Sequence, residues 1–249
     1  HAAGRVVCMT GGHGYAFGQE ADGPASVRKA VREHLKAGAS CIKLMASGGI
    51  MTEGTQPGEP QLGEEELRAG VEEAHKAGRR VLAHAEGTQG ILNAIRAGVD
   101  SVEHGYFLTD EAVELMLERG TYYTPTLTGD VRLLEHGIDA GIPPYVIEKL
   151  RPCIDALHAS FERAVRAGVP VACGTDAGTA FNPAEDTPAE FAQMVRWGMS
   201  PAQALATTGT SARLMGFEDR GFLRAGLRAD IVVVAGDPKQ LPPIHQAKA

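Results

Sequence analysis

An α/β fold built on a parallel (β/α)8-type barrel is what this sequence predicts, and three observations predict it. The first is a repeated signal: Lys36-Ala37-Gly38, Lys76-Ala77-Gly78, Arg96-Ala97-Gly98 and Arg166-Ala167-Gly168, with Arg119-Gly120 as a shortened copy. Each closes a helical pattern, because a cation suits the negative end of the helix dipole and glycine takes the left-handed position just past the end. The second is the apolar run that follows each signal: CIKLM, VLAH, SVEH, YYTPT and VPVACGTD. The third is that polar residues recur where runs end, at Lys43, His84, His104 and Asp176. Helix–strand alternation means βα units and a parallel sheet. In a (β/α)8 barrel the strand ends converge on one face, where active sites lie.

The stretch from Val81 to Gly105 shows the unit most clearly. It reads VLAHAEG, TQGILNAIRAG and VDSVEHG, two short apolar runs that each end in histidine around an amphipathic segment. A side chain at such a place is held by a rigid strand and opens onto a loop.

The other elements follow in order. Residues 5–9, RVVCM, read as a strand arriving at the loop Thr10-Gly11-Gly12-His13-Gly14, which lasts to about Pro24. Residues 25–37 read as a helix with Val27, Ala30, Val31 and Leu35 on one face. The strand 41–46 carries Lys43 and enters a Gly/Pro-rich loop to Gly63, long enough to suggest a functional lid. Helix 64–77 begins with Glu64, Glu65 and Glu66, which suit the positive end of the dipole. Strand 80–84, helix 88–97 with Thr88 as N-cap, strand 101–104, helix 110–118 and strand 122–126 come next. Residues 128–144 read as irregular, 145–167 as one long helix and 169–175 as a strand. A loop 177–187 precedes helices near 188–197 and 201–215. The tail reads as two strands, 222–226 and 229–234, joined by a glycine turn and too short to stand alone. This gives six barrel strands against the eight of a closed barrel, so two βα units are expected before His1.

Composition excludes some partners. With 43% hydrophobic residues the chain can fill a core of this size. A net charge of -7 without a basic stripe argues against nucleic acid. No apolar run approaches a membrane span. Cys8, Cys41, Cys153 and Cys173 have no C-x-x-C spacing, and Cys8, Cys41 and Cys173 lie in predicted strands and read as reduced core residues, which fits a cytoplasmic location.

The residue types at the strand ends point to a metal. Zinc takes imidazole nitrogen and carboxylate oxygen. Lysine is the odd member, since an ammonium has three donors and no acceptor. Carbamylation by CO2 would make Lys43 a carboxylate able to bridge two ions. Each residue has a plainer reading as well. A lone strand histidine is often a hydrogen-bonded core residue, Lys43 could be a salt-bridged lysine, and Asp176 could cap a helix. The matching places of His84, His104 and Asp176 in three units favour ligands. His13 is either a substrate contact or a loop residue. Glu86 and Glu103 flank ligands and could orient them, and solvated or structural roles fit these two at least as well. His34, His75, His136 and His158 lie away from strand ends and read as surface residues.

Six stretches carry a family resemblance: MTGGHG (9–14), IKLMASGG (42–49), AHAEG (83–87), SVEHG (101–105), CGTDAG (173–178) and TTGTSARLMGFEDRGFLRAGLRADIVVVAGDP (207–238). Together they resemble the amidohydrolase superfamily of metal-dependent hydrolases, in its prolidase-like or imidazolonepropionase-like branch. The resemblance implies a (β/α)8 barrel, here strands 3–8 over residues 1–217. It also implies a small β-sandwich built from both chain ends, with residues 218–249 as its C-terminal strands. It implies a carboxylated Lys43 bridging two zinc ions, His84 and His104 as ligands of one, and Asp176 as ligand of the other and proton shuttle. His13 and Tyr106 would contact a substrate carboxylate or carbonyl. The family's H-x-H pair is absent from this sequence, and its expected place lies before His1.

The expected activity is hydrolysis of a small amide such as a dipeptide or N-acyl amino acid. Cyclic-amide opening or deamination is the enzymatic alternative, disfavoured by Lys43. A ligand-binding remnant is the third. No nucleic acid or membrane is expected as partner. An open barrel edge implies either a homo-oligomer or a missing N-terminal segment, and residues 1–249 alone are expected to be a poor enzyme.

Overall fold

The computed structural model describes residues 2–233. Five strands lie at the predicted places: β1 (Val6–Cys8), β3 (Cys41–Met45), β4 (Arg80–Ala85), β5 (Ser101–His104) and β6 (Tyr122–Thr124). A sixth, β2 (Gln19–Glu20), lies inside the segment predicted as loop. The sheet order is β2-β1-β3-β4-β5-β6 and every pairing is parallel. The predicted strand 169–175 is only a single parallel bridge, Tyr123 to Val171. Pro170 and Ala172 nevertheless bond Tyr123, with Tyr123 N–H donating to Pro170 O and Ala172 N–H to Tyr123 O. The sheet therefore curls on as an open barrel that does not close among the described residues.

Among the described residues there are nine α-helices: α1 (Pro24–Lys36), α2 (Glu64–Lys76), α3 (Thr88–Ala97), α4 (Asp110–Arg119), α5 (Leu127–His136), α6 (Pro144–Leu150), α7 (Ile154–Ala167), α8 (Pro188–Arg196) and α9 (Pro201–Leu214). Gly98, Gly120 and Gly168 take the left-handed C-cap that the repeated signal predicts. Helix α3 starts at Thr88, so Gly87 is its N-cap, and the Thr88 hydroxyl donates to Phe107 O instead.

Two helix predictions are corrected. Residues 128–144 are not irregular: they hold α5, a short 3-10 turn over Ile138–Ala140 and the start of α6. The long helix 145–167 is two helices, broken at Arg151-Pro152-Cys153, because proline has no amide hydrogen and disfavours helix in the residue before it. The tail hairpin is corrected as well. Its glycine turn forms, with Leu227 N–H donating to Arg224 O, but residues 222–233 make no strand, and Leu223, Val232 and Val233 are exposed. Strand-forming residues without a sheet edge to join have no ladder to enter. The rest of that hairpin, from Val234, lies outside the described residues.

Strand register separates two faces. Val7, Ile42, Leu44, Val81, Ala83 and Val102 point to the helices and are fully buried. By alternation, Val6, Lys43, Met45, His84 and Glu103 point to the inside of the curl.

Candidate active site

Lys43 and His84 reach the interior through ordinary strand geometry. His104 does not. In SVEH the alternation sends Glu103 inward and would send His104 towards the helices. His104 instead takes a left-handed backbone, φ 69°, which turns its ring to the inside. Asp176, five residues beyond the bridge at Val171, also has a left-handed backbone, φ 54°. Non-glycine residues held there store strain of about 1–3 kcal/mol each, which persists where surrounding structure enforces it.

One cavity of about 730 Å³ at the C-terminal strand ends is lined by His13, Lys43, His84, His104 and Asp176. A smaller adjoining space of about 40 Å³ reaches Glu86, Tyr106 and Asp130. The histidine rings are in contact: His13 stacks on His84 at 4.3 Å and His84 meets His104 edge-on at 4.6 Å. Gly49 makes room for this, since a Cβ there would lie 2.5 Å from the His13 ring.

The network sets the tautomers. His84 Nε2 lies 2.9 Å from Gly48 O, and a carbonyl only accepts, so Nε2 carries the hydrogen. The Thr126 hydroxyl donates to Pro125 O, so it accepts from His104 Nδ1 at 2.7 Å. Burial, then neighbouring His13, His104 and Lys43, holds His84 well below the usual histidine range. Burial, Lys43 and His13 do the same to His104. Both rings are therefore neutral, with lone pairs on His84 Nδ1 and His104 Nε2. His13 is lowered to about 4, by burial first, and its Nδ1 is buried without a partner.

Lys43 contacts the Glu103 carboxylate across the inner face. Burial lowers its amine to about 8, against the opposing pull of Asp176, Glu86 and Cys41. Asp176 is raised by burial, with Lys43 opposing. Glu86 is raised well above the carboxylate range by burial and Asp130, and its Oε2 has no partner. Tyr106, almost fully buried, donates its hydroxyl to Asp130 at 2.8 Å. Its hydroxyl is thus committed beside the smaller space rather than facing the large cavity.

Several contributors escaped the sequence reading. Thr126, φ 54°, fixes the His104 tautomer. Glu190 of α8 is fully buried and accepts from Leu127 N and Thr128 N at 2.8 Å and from the Thr128 hydroxyl at 2.6 Å, capping α5 directly after Thr126. This cap supplies the start signal that the segment 128–144 lacks in sequence. Asp130 sits on that helix, and Lys149 of α6 donates to Thr52 O at 2.6 Å. None has a local motif, because each acts across a long loop of chain.

The donors can be tested for a divalent ion on their chemistry. Two neutral imidazole nitrogens and a carboxylate line one cavity, and these suit zinc in kind. Among the described residues, no three His, Cys, Asp or Glu side chains stand close enough as placed to hold an ion by themselves. The fourth candidate, Lys43, becomes a donor only as a carbamate.

A parallel, helix-covered barrel sheet with polar residues gathered at its C-terminal strand ends is the architecture of a barrel enzyme. The sequence profile of the amidohydrolase family matches residues 2–248. Ochratoxinase of Aspergillus niger is 37% identical over 223 residues, 88% of this chain and 45% of its own length. The crystal structure of a Xaa-Pro dipeptidase with bound methionine in the active site superposes with a TM-score of 0.86 at 36% identity, covering 96% of this chain and 62% of that one. Imidazolonepropionase of Cutibacterium acnes is 33% identical over 175 residues, 68% of this chain and 38% of its own. The chain belongs to the amidohydrolase family, hydrolases of carbon–nitrogen bonds that generally use metal ions. It spans about half the length of the ochratoxinase it matches. Among the described residues no helix is long and apolar enough to cross a membrane.

Proposed function

We propose that this chain supplies the greater part of the active site of a metal-dependent hydrolase that cleaves the amide C–N bond of a small substrate such as a dipeptide or N-acyl amino acid. The observation behind the reading is the pair of neutral imidazoles, His84 and His104, whose free nitrogens accompany Lys43 and Asp176 in one cavity. Zinc would be held by His84 through Nδ1 and His104 through Nε2. Lys43 would hold it as a carbamate: the amine nitrogen adds to CO2 and releases a proton, and burial of the amine favours the neutral form this needs. When bound, the metal supplies Lewis acidity and lowers the pKa of a water towards neutrality. Asp176 takes a proton from the attacking water and returns it to the departing nitrogen, which is too basic to leave as an anion. Its raised proton affinity suits that task. His13, which lines the large cavity, is assigned to the substrate carboxylate or carbonyl, and Tyr106, whose hydroxyl Asp130 holds, would meet substrate only from the smaller space. Residues 218–249 would belong to a second, small β domain beside a barrel in 1–217. Similarity to imidazolonepropionase supports a second reading, cyclic-amide opening, against which Lys43 weighs.

The test is a panel of dipeptides, N-acyl amino acids and cyclic amides with the intact, zinc-supplied protein, together with its metal content. Zinc-dependent release of amine from linear amides is expected. Turnover confined to cyclic amides would replace the reading with the second one. Protein unable to take up zinc would sink both.

A further inference from the structure

Asp176 lines the cavity, yet no hydrogen bond holds its carboxylate among the described residues. Its place is set by its backbone, which takes the left-handed φ of 54°.

That backbone is held from Asn182, which is almost fully buried. Asn182 Nδ2 donates to Thr175 O at 2.7 Å, to Asp176 O at 3.2 Å and to Thr179 Oγ1 at 3.3 Å. Carbonyls only accept, so the orientation of this side-chain amide is fixed. Its Oδ1 has no partner, and every hydrogen bond the side chain makes goes to residues 175–179. Thr175 O and Asp176 O belong to the peptide planes on either side of the Asp176 Cα. One rigid group that grips both planes fixes φ and ψ there. Asp176 O also accepts from the Thr179 hydroxyl at 3.1 Å, but that contact is exposed and water competes for it. The bond to Thr175 O is buried, where leaving it unmade costs more. Asn182 is itself tied in, with Gly178 N–H donating to Asn182 O at 2.9 Å and Asn182 N–H to Thr179 O at 3.1 Å. The corner rests on the first turn of α5, where a Cβ on Gly129 would stand 3.4 Å from Thr179 Oγ1 and 3.5 Å from Asn182 Nδ2.

The outer end of the loop is fastened separately. Arg132 donates to Phe181 O at 3.0 Å and contacts Asp186, and the Phe181 ring stacks on His136 at 4.0 Å. The corner and the loop can therefore be perturbed one at a time.

Resting on the amide-hydrolase reading for the role of Asp176, we propose that Asn182 is its positioning residue: the side-chain amide holds the left-handed corner from which the carboxylate reaches the cavity. Asn182 touches no reacting atom and acts only through Asp176.

The experiment has a structural arm and a kinetic arm, both on the intact protein. Crystals of zinc-free Asn182→Ala are expected to show Asp176 out of the left-handed region, with its carboxylate displaced from the cavity wall. An Asp176 left in place overturns the inference. With zinc supplied, kcat on the fastest-cleaved linear amide of the dipeptide and N-acyl panel should fall about 10–100-fold with KM little changed, the scale for a misplaced group. In an Asp176→Asn background the same substitution should cost less than about threefold, because its effect passes through the carboxylate. A full further loss there would show a general structural role and overturn the inference, as would an unchanged kcat in Asn182→Ala. Phe181→Ala, which removes only the outer ring stack, should keep kcat within about threefold. A loss equal to that of Asn182→Ala would give the effect to the whole loop and overturn the assignment to Asn182. If Asn182→Ala does not fold, Asn182→Asp, which keeps the size and puts an acceptor where the donor stood, is read in the same way. A displaced corner in a protein whose parent cleaves no amide sustains the positioning and overturns the amidase reading instead.

Discussion

Glu190→Gln probes the contact that supports the strained corner of the site. Glu190 is fully buried, and burial raises its carboxyl from 4.5 to about 7 even though three donors from Thr128 and Leu127 favour the ionised form. Between those two pH values the folded chain keeps a proton on Glu190 that the unfolded chain has released. Stability from this group is therefore full below about pH 4.5 and is lost as pH rises through 7. A displacement of that size corresponds to about 3 kcal/mol. Glutamine is neutral at every pH and lacks this dependence. Relative to the parent, Glu190→Gln should thus gain on the order of 3 kcal/mol between pH 5 and pH 8. Asp130, raised to about 7 chiefly by burial, is raised by Glu190 as well, so the variant weakens its dependence too and the difference between the two proteins includes that change, in the same direction. The assay is urea unfolding at the two pH values, with amide exchange at Leu127 and Thr128 as a local readout. Exchange there should quicken in the variant, because glutamine cannot accept from both backbone amides through two oxygens. The same difference in stability at pH 5 and pH 8, or a change of opposite sign, would refute the reasoning: the three donors would then outweigh burial.

Other expectations concern the site itself. Thr126→Val leaves His104 Nδ1 without its acceptor and frees the other tautomer, so zinc affinity should fall about 10–100-fold, read by competition with a chelator. An unchanged affinity would show that the ring is held by other means. Gly49→Ala places a methyl against the His13 ring and should cost about 1–3 kcal/mol in unfolding free energy or displace that ring, visible in its NMR shifts. Asp176→Asn should keep much of its zinc and lose about 10²–10⁴-fold in turnover. A zinc-loaded variant with near-normal turnover would leave Asp176 as a ligand only.

The elements near Lys43, His84 and His104 were legible because their causes are local. A cation and glycine end each helix, and an apolar run of strand length follows, whatever lies elsewhere in the chain. That periodicity places Lys43 in the middle of β3 and His84 near the end of β4, both facing the cavity. It does not place His104, whose inward turn depends on a left-handed backbone that no residue type in SVEHG reveals by itself. Nor does it supply α5, whose first amides are satisfied by Glu190 from α8, about sixty positions away in the chain. The tail shows the converse. Its strand-like residues and glycine turn are plain in the sequence, yet a strand exists only where a neighbour offers its ladder, and residues 222–233 find none among the described residues. Local propensity and periodicity settle which segments are regular and which residue types stand at their ends. Whether imidazoles meet, which nitrogen each leaves free and which buried carboxylate braces them depend on contacts between distant segments, and those exist only once the chain has packed.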